Sequence, residues 1–388
     1  MQAPNVLSNP FQGFPEGLTE RRPTLTLPAV DGYSRAGKFT PGRPFRAGLA
    51  HAARPARRRH LQGLTWMDRG ARSVSGYVFP AVPQLGATPQ PLWGLNHATW
   101  FLCMGLGSGL FLNRLLFGIE IGKVFGLPLA DVLGLILVGF GGLVLLGSLG
   151  RPFRILGALR NPMSSWISRG AVADFVFIFL GGLLLLPYLT LGGTQPLGRL
   201  PWAPGTGLGR ALALVASASA LFIIVYPGLV LAVLRAIPFW NTNFIPLQYL
   251  GSAFASAAGM AYLLGSPASS RAPAVVGLVS VLATLAFSSA HIAYAHHQRG
   301  TARASAAMVV RGAWAPHFLC GGLLLGLVVP GLILALHLAR GLGDGMLALA
   351  GVLLLAGNFL SKYAVIKAGH LAPVPALMRA PPYLGSSR

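Results

Sequence analysis

Asn96, His97, Arg151, Arg169, Asp174 and Tyr226 are the residues of this 388-residue chain whose types fit proton and electron chemistry at a small oxygen-bearing molecule. An imidazole and a carboxamide can hydrogen-bond a carbonyl oxygen. A carboxyl group can take or give a proton there. Asp174 is the most unusual of the set, because it lies inside an apolar run. An ionisable side chain at such depth costs on the order of 2.5–3.5 kcal/mol on insertion scales, and is a functional candidate by default. The competing structural role for Asp174 is a buried partner for Arg169 or Arg151.

Those residues sit in a chain that is 54% hydrophobic and only 10% charged, with a mean hydropathy of +0.63. Soluble domains carry about 25% charged residues, so the chain is read as an all-α, polytopic integral membrane protein. The net charge of +22 would point to nucleic acid in a soluble protein; here its placement along the chain matters more than its size.

Eight apolar segments are expected at roughly 94–118, 129–149, 171–191, 210–234, 244–266, 273–295, 316–339 and 345–366, each close to the ~20 residues that cross a bilayer. The fifth is the least hydrophobic. Its Gly251, Ala255 and Gly259 recur at helical spacing and read as a close-packing face on a buried helix. The expected organisation is an eight-helix bundle over 92–370. A flexible, basic, Pro- and Gly-rich arm over 1–91 precedes it, and a short tail over 371–388 follows. The arm holds 12 Lys and Arg against 4 Asp and Glu, and no apolar run in it approaches membrane length. Its Arg57-Arg58-Arg59 reads as a patch for anionic lipid or a partner subunit, in preference to nucleic acid.

With eight crossings, the side that holds the arm receives 24 Lys and Arg and the opposite side 6; without the arm the ratio is still 12 to 6. The positive-inside rule makes that richer side cytoplasmic, with both termini inside. Asn96, His97, Asp174, Tyr226, His291, His296, His297 and His317 all fall toward it. Ordinary interfacial snorkelling is the rival reading for His296, His297, Arg299 and Arg303.

Several chemistries can be weighed against this distribution. There is no HExxH motif and no P-loop, and no internal repeat of the kind ion-coupled transporters use is evident. Cys103 and Cys320 are too few to ligate an iron–sulfur cluster, and no metal site is expected. A quinone, which carries two electrons and two protons, fits better. It needs an apolar pocket, donors at its carbonyls and a proton path to one aqueous face. A b-type haem between His97 and His317 or His291 stays open as an alternative, as does an ion-coupled transporter.

The motifs also carry a resemblance. The stretch "WFLCMGLGSGLFL" (Trp100 to Leu112) resembles the Gly-rich first helix of the NrfD/polysulfide-reductase (PsrC) membrane subunits. "LGRPFRILGALRNPMSSWISR" (Leu149 to Arg169) is similar to the signature after their second helix, above all in the DMSO-reductase-anchor (DmsC-like) branch. "LRAIPFWNTNFIPLQYLGSA" and "KYAVIKAG" (Lys362 to Gly369) look like that branch's loop into helix 5 and its end of helix 8. One departure stands out: related sequences often read SW.SRE, whereas this chain has Ser168-Arg169-Gly170, with an acid returning four residues on at Asp174.

The resemblance implies a haem-free membrane anchor of a molybdopterin oxidoreductase complex. Its partners would be a ferredoxin-like subunit with four Fe–S clusters and a molybdopterin catalytic subunit. The anchor would bind menaquinone or ubiquinone near the start of helix 1, where Asn96 and His97 lie, and Asp174 would stand in for the family acid. Arg154, Arg160, Trp166, Arg235, Trp240 and Asn241 would face the docked partner. Combined with the charge count, the expectation is a complex on the cytoplasmic side of a bacterial or archaeal inner membrane. It would pass electrons from a cytoplasmic donor into the quinone pool.

Overall fold

The computed structural model describes residues 88–148, 165–298 and 300–372. The basic arm up to residue 87, the loop with Arg151, Arg154 and Arg160, and the tail from residue 373 lie outside the described residues. The described chain is almost wholly helical. The helices are α1 (Leu95–Phe117), α2 (Leu129–Ser148), α3 (Trp166–Leu185), α4 (Gly207–Ala232) and α5 (Phe244–Leu263). They continue with α6 (Ala272–His297), the short α7 (Thr301–Val310), α8 (Pro316–Arg340) and α9 (Asp344–Lys367). The first half of α8, Pro316–Val328, is wound wider, as a π-helix.

Seven of these helices are long and apolar enough to cross a membrane. Helix α5 is 20 residues long but is not among the seven. Its composition follows from its neighbours: it packs against α1, α4, α6 and α9, so it meets protein more than lipid. Small residues set the spacing there. A Cβ on Gly109 would lie 2.8 Å from the Ala253 carbonyl oxygen, one on Gly251 2.5 Å from Thr284 Oγ1, and one on Gly259 3.0 Å from Gly351 Cα. The α1–α2 contact is as close, with Gly107 against the Gly134 carbonyl oxygen at 2.6 Å. Large apolar side chains turn outward instead, as Phe140, Leu143, Phe175, Leu214 and Val279 do.

Local signals set the helix ends. Gly118, at φ +64°, closes α1 with its N–H on the Arg114 carbonyl, the left-handed stop that glycine adopts without strain. Ser165 caps α3 by accepting from the Ser168 N–H at 3.3 Å, and Thr206 caps α4 by accepting from the Gly209 N–H at 3.0 Å, as hydroxyl side chains do at N-caps. The Ser165 cap starts α3 five residues before the onset that hydropathy marks, because polar first-turn residues are invisible to a hydropathy count.

The helices run antiparallel, so the starts of α1, α3, α5 and the ends of α4, α6, α9 share one end of the bundle, called here the proximal end. Phe101 of α1 packs on Tyr249 of α5 at 5.3 Å, and Trp100 on Tyr226 of α4 at 5.8 Å. A two-residue ladder joins strand β1 (Thr88–Pro89) to the last strand (His370–Leu371) at that end. Gln90 adds to the clasp by donating from its backbone N–H to the Gly369 carbonyl at 2.9 Å. The distal end carries a small hairpin, Lys123–Val124 with Leu127–Pro128. It also carries an ion pair in which Arg114 Nε and Nη2 donate to Asp131 Oδ1 and Oδ2 at 2.6 and 2.5 Å.

Backbone approach at α1–α2 gives a direct test. Gly107→Ala should cost about 1–3 kcal/mol by overpacking, seen as a lower thermal midpoint of the purified chain. Gly139→Ala, where a Cβ meets nothing within 4 Å, should leave the midpoint near wild type.

Candidate functional site

Asp174 lies eight residues into α3, about 12 Å along the helix. That is deeper than an apolar segment starting at residue 171 would place it. Its Oδ2 accepts a hydrogen bond from the Tyr226 hydroxyl of α4 at 3.3 Å. Its Oδ1 is shielded and has no hydrogen-bond partner. Tyr226 is 1% exposed, stacked on Phe222 at 5.9 Å and tilted against Trp100 of α1. The Trp100 indole N–H is shielded and makes no hydrogen bond. His97, one turn earlier on α1, stands edge-on to Trp100 at 6.5 Å and stacks on Trp93 at 4.6 Å.

Gly170 permits this arrangement. A Cβ there would fall 2.1 Å from Tyr226 Cε2, so the phenol ring occupies the room that any side chain at 170 would take. Residues 170 and 174 lie one above the other on α3. The glycine admits the ring, and the acid receives its hydroxyl.

His97, Asp174 and Tyr226 are therefore brought together from α1, α3 and α4, with Trp100 as a member that the sequence reading did not single out. Asn96 is exposed on the first turn of α1 and stands apart from the group. Arg169 does not fill Asp174's open oxygen; its guanidinium lies over the Trp166 ring at 4.6 Å. Arg235 and Asn241 are exposed, and Asn241 Nδ2 donates to the Ala232 carbonyl at the end of α4. Trp240 needs correction as a docking residue: it is 0% exposed. Its indole N–H donates to the Val365 carbonyl at 3.0 Å and its ring sits where a Cβ on Gly369 would be, so it ties the loop before α5 to the end of α9.

A second polar group was missed. Lys362 of α9 is 5% exposed; its Nζ donates to Ser252 Oγ of α5 at 2.7 Å and to Asn358 Oδ1, and it lies over the Tyr249 ring at 4.6 Å. Asn358 Nδ2 in turn donates to Ser256 Oγ at 2.7 Å. The signal was present as two i, i+4 polar pairs within apolar runs, Asn358 with Lys362 and Ser252 with Ser256. The charge count had used Lys362 only as a marker of sidedness.

The histidines offered for haem are otherwise engaged or apart. His291 is fully buried, its Nε2 on the Phe239 carbonyl at 2.9 Å and its ring stacked on Phe239 at 4.7 Å. His317 packs beside Trp314 at 5.3 Å. Among the described residues no three His, Cys, Asp or Glu side chains gather as a metal site.

Membrane-length helices packed through glycine, with ionisable groups buried between them, define a multi-pass helical membrane protein. Residues 84–374 match the family described as Polysulphide reductase, NrfD, and the chain belongs to that family. Its members are membrane subunits of oxidoreductase complexes and partner with Fe–S and molybdopterin subunits. No curated protein matches the chain.

The Asp174 group can be tested apart from any activity. Tyr226→Phe should cost about 0.6–1.7 kcal/mol, the scale of an interhelical hydrogen bond in a membrane. Gly170→Ala should cost more, because the whole ring must move. Thermal unfolding of the purified chain in detergent checks both, with Gly182→Ala, whose Cβ would meet nothing within 4 Å, as the neutral control.

Proposed function

We propose that this chain is the quinone-interacting anchor of a molybdopterin and iron–sulfur oxidoreductase complex, of the DMSO-reductase-anchor (DmsC-like) branch. The observation that carries the reading is the group at Asp174. A shielded carboxylate oxygen and a shielded indole N–H, both without partners, flank a buried phenol at the proximal end. Each unpartnered buried group costs about 1–3 kcal/mol. A ligand with carbonyl oxygens that exchange with hydroxyls would satisfy them. Trp100 would donate to a carbonyl oxygen, Tyr226 and Asp174 would pass a proton, and His97 would connect the group to the aqueous edge.

Helix α5 is the eighth crossing on this reading. Its low hydropathy is explained by the helices around it, and an even number of crossings puts the arm and the tail on one side. The Lys and Arg count of that side, 24 against 6, makes it cytoplasmic in a bacterial or archaeal inner membrane. The arginines of the 149–164 loop, Arg151, Arg154 and Arg160, together with exposed Arg235 and Asn241, would receive the Fe–S subunit. A cluster in that subunit would then lie across the proximal face from the Asp174 group. Electrons would flow from a cytoplasmic donor through the molybdopterin and Fe–S subunits to menaquinone or ubiquinone, with protons taken from the same side.

Quinone binding is read by quenching of the Trp93 and Trp100 fluorescence on adding a short-chain quinone to the purified chain. Quenching should saturate in wild type and weaken in His97→Leu and Tyr226→Phe. In the assembled complex Asp174→Asn should slow quinone turnover by about 100-fold, the scale of lost acid–base catalysis, while subunit association is kept. Unsaturable quenching in wild type, or full turnover in Asp174→Asn, would rule the reading out. Digestion of the arm by protease added outside right-side-out vesicles would overturn the orientation.

A further inference from the structure

Lys362 has no part in that reading, yet it is a lysine held at 5% exposure between helices. Among the described residues the recorded salt bridge is Arg114–Asp131 at the other end, and Lys362 has no carboxylate partner. Lys362 and its partners help line a small cavity walled by four helices. Helix α5 gives Tyr249 and Ser252, α6 gives Thr284 and Ser288, α9 gives Asn358 and Ser361, and the π-wound half of α8 gives Gly322. Tyr249 is the titratable one. Its hydroxyl is buried and has no hydrogen-bond partner.

Between these groups lies a cavity of about 20 Å³, enough for one water that has polar partners. A second, larger cleft of about 480 Å³ lies between α6, α7 and α8, with His296, His297 and Arg311 along it. The two share one wall residue, Ser288, which is 1% exposed. His296 and His297, on the last turn of α6, line the cleft, and Ser288, farther back on the same helix, stands between the cleft and the small cavity at Lys362.

We propose that Lys362 is a proton-binding site, loaded from the proximal face by water that enters the α6–α8 cleft and passes Ser288. The step is a proton transfer alone. A water at Ser288 gives its proton to the Lys362 amine, the proton lost by that water is replaced from bulk through the cleft, and no electron moves. The ammonium is held by Ser252 Oγ, Asn358 Oδ1 and the face of Tyr249, a cation–π contact of the kind that gains strength away from water. The ammonium returns the proton to water by the same route and is left as the neutral amine. Nothing in this depends on a quinone, so the two readings can fail separately.

Two measurements test it. In a chain with Cys103 and Cys320 replaced by Ala, Ser288→Cys in sealed membranes is treated with a small charged methanethiosulfonate. The thiolate is the reactive form and needs water to exist, so Ser288→Cys should react about tenfold faster or more than lipid-facing Val279→Cys. It should also react faster with reagent on the His296–His297 side. Equal rates would mean that lipid fills the cleft, and would overturn the proposal. The chain has four lysines, so ¹⁵N-lysine spectra of the full chain in nanodiscs can be assigned, with Lys362→Met marking the signal that disappears. That signal should pass between two states as bulk pH moves over about pH 5–11. A signal fixed in one state throughout would overturn the proposal, and the thiol test stands if Lys362→Met does not fold.

Discussion

The distance at which helix backbones can approach α5 governs the rest of the bundle. Lipid tails are as apolar as leucine, so burying leucine between membrane helices gains little; packing and hydrogen bonds must hold them. Gly105 and Gly109 of α1 meet Ala253, and Gly259 meets Gly351 of α9. These contacts pack α1 and α9 against α5, and with them the two polar groups of the proximal end. The His97–Trp100–Tyr226–Asp174 group forms on the α1, α3, α4 side. The Lys362 group forms where α9 meets α5, against α6 and α8. Widening α5's contacts by a methyl group would shift both without touching either.

Much of this fold was legible because membrane helices must satisfy their own backbone hydrogen bonds, which makes long apolar runs unambiguous. Helices α1, α4, α6, α8 and α9 lie within a few residues of the runs that mark them. The start of α3 was displaced because a serine cap and a polar first turn carry no hydropathy signal. Short α7 was not seen at all, since Thr301–Val310 is too short to span and its mean hydropathy does not stand out. For the site, a single acid in an apolar run was enough to find Asp174, and a tyrosine near a helix end enough to find Tyr226. Their hydrogen bond was not legible, because it depends on the rotation of α3 against α4, and that rotation is set by Gly170 against the Tyr226 ring. Trp240 misled for the opposite reason. Aromatic residues in a loop read as an interface, whereas here the loop folds inward and the indole finds its acceptor on α9.

Gly170 and Asp174 show how one position constrains another. With any larger residue at 170 the Tyr226 ring would be displaced from α3, and a carboxylate at 174 would lose its donor. A carboxylate at 170 itself could reach the same region only if residue 226 made way for its side chain. An acid at 170 and an acid at 174 beneath a tyrosine are thus two ways to bring one carboxyl group to the α1–α3–α4 junction.

The two ends of the bundle treat their polar groups differently. At the distal end Arg114 and Asp131 satisfy each other. His337 accepts from the Leu342 N–H at 3.0 Å, Asp344 from the Ala268 N–H at 3.1 Å, and Arg271 donates to the Leu338 carbonyl at 2.6 Å. Asn113 Oδ1 and, in the distal half of α1, Ser108 Oγ are exceptions. At the proximal end Trp100 Nε1, Asp174 Oδ1, Tyr249 Oη, His291 Nδ1 and His317 Nδ1 are all shielded and without partners. Buried polar groups are otherwise nearly always satisfied. Keeping five on one face is explained if water, protons or a ligand complete them during function.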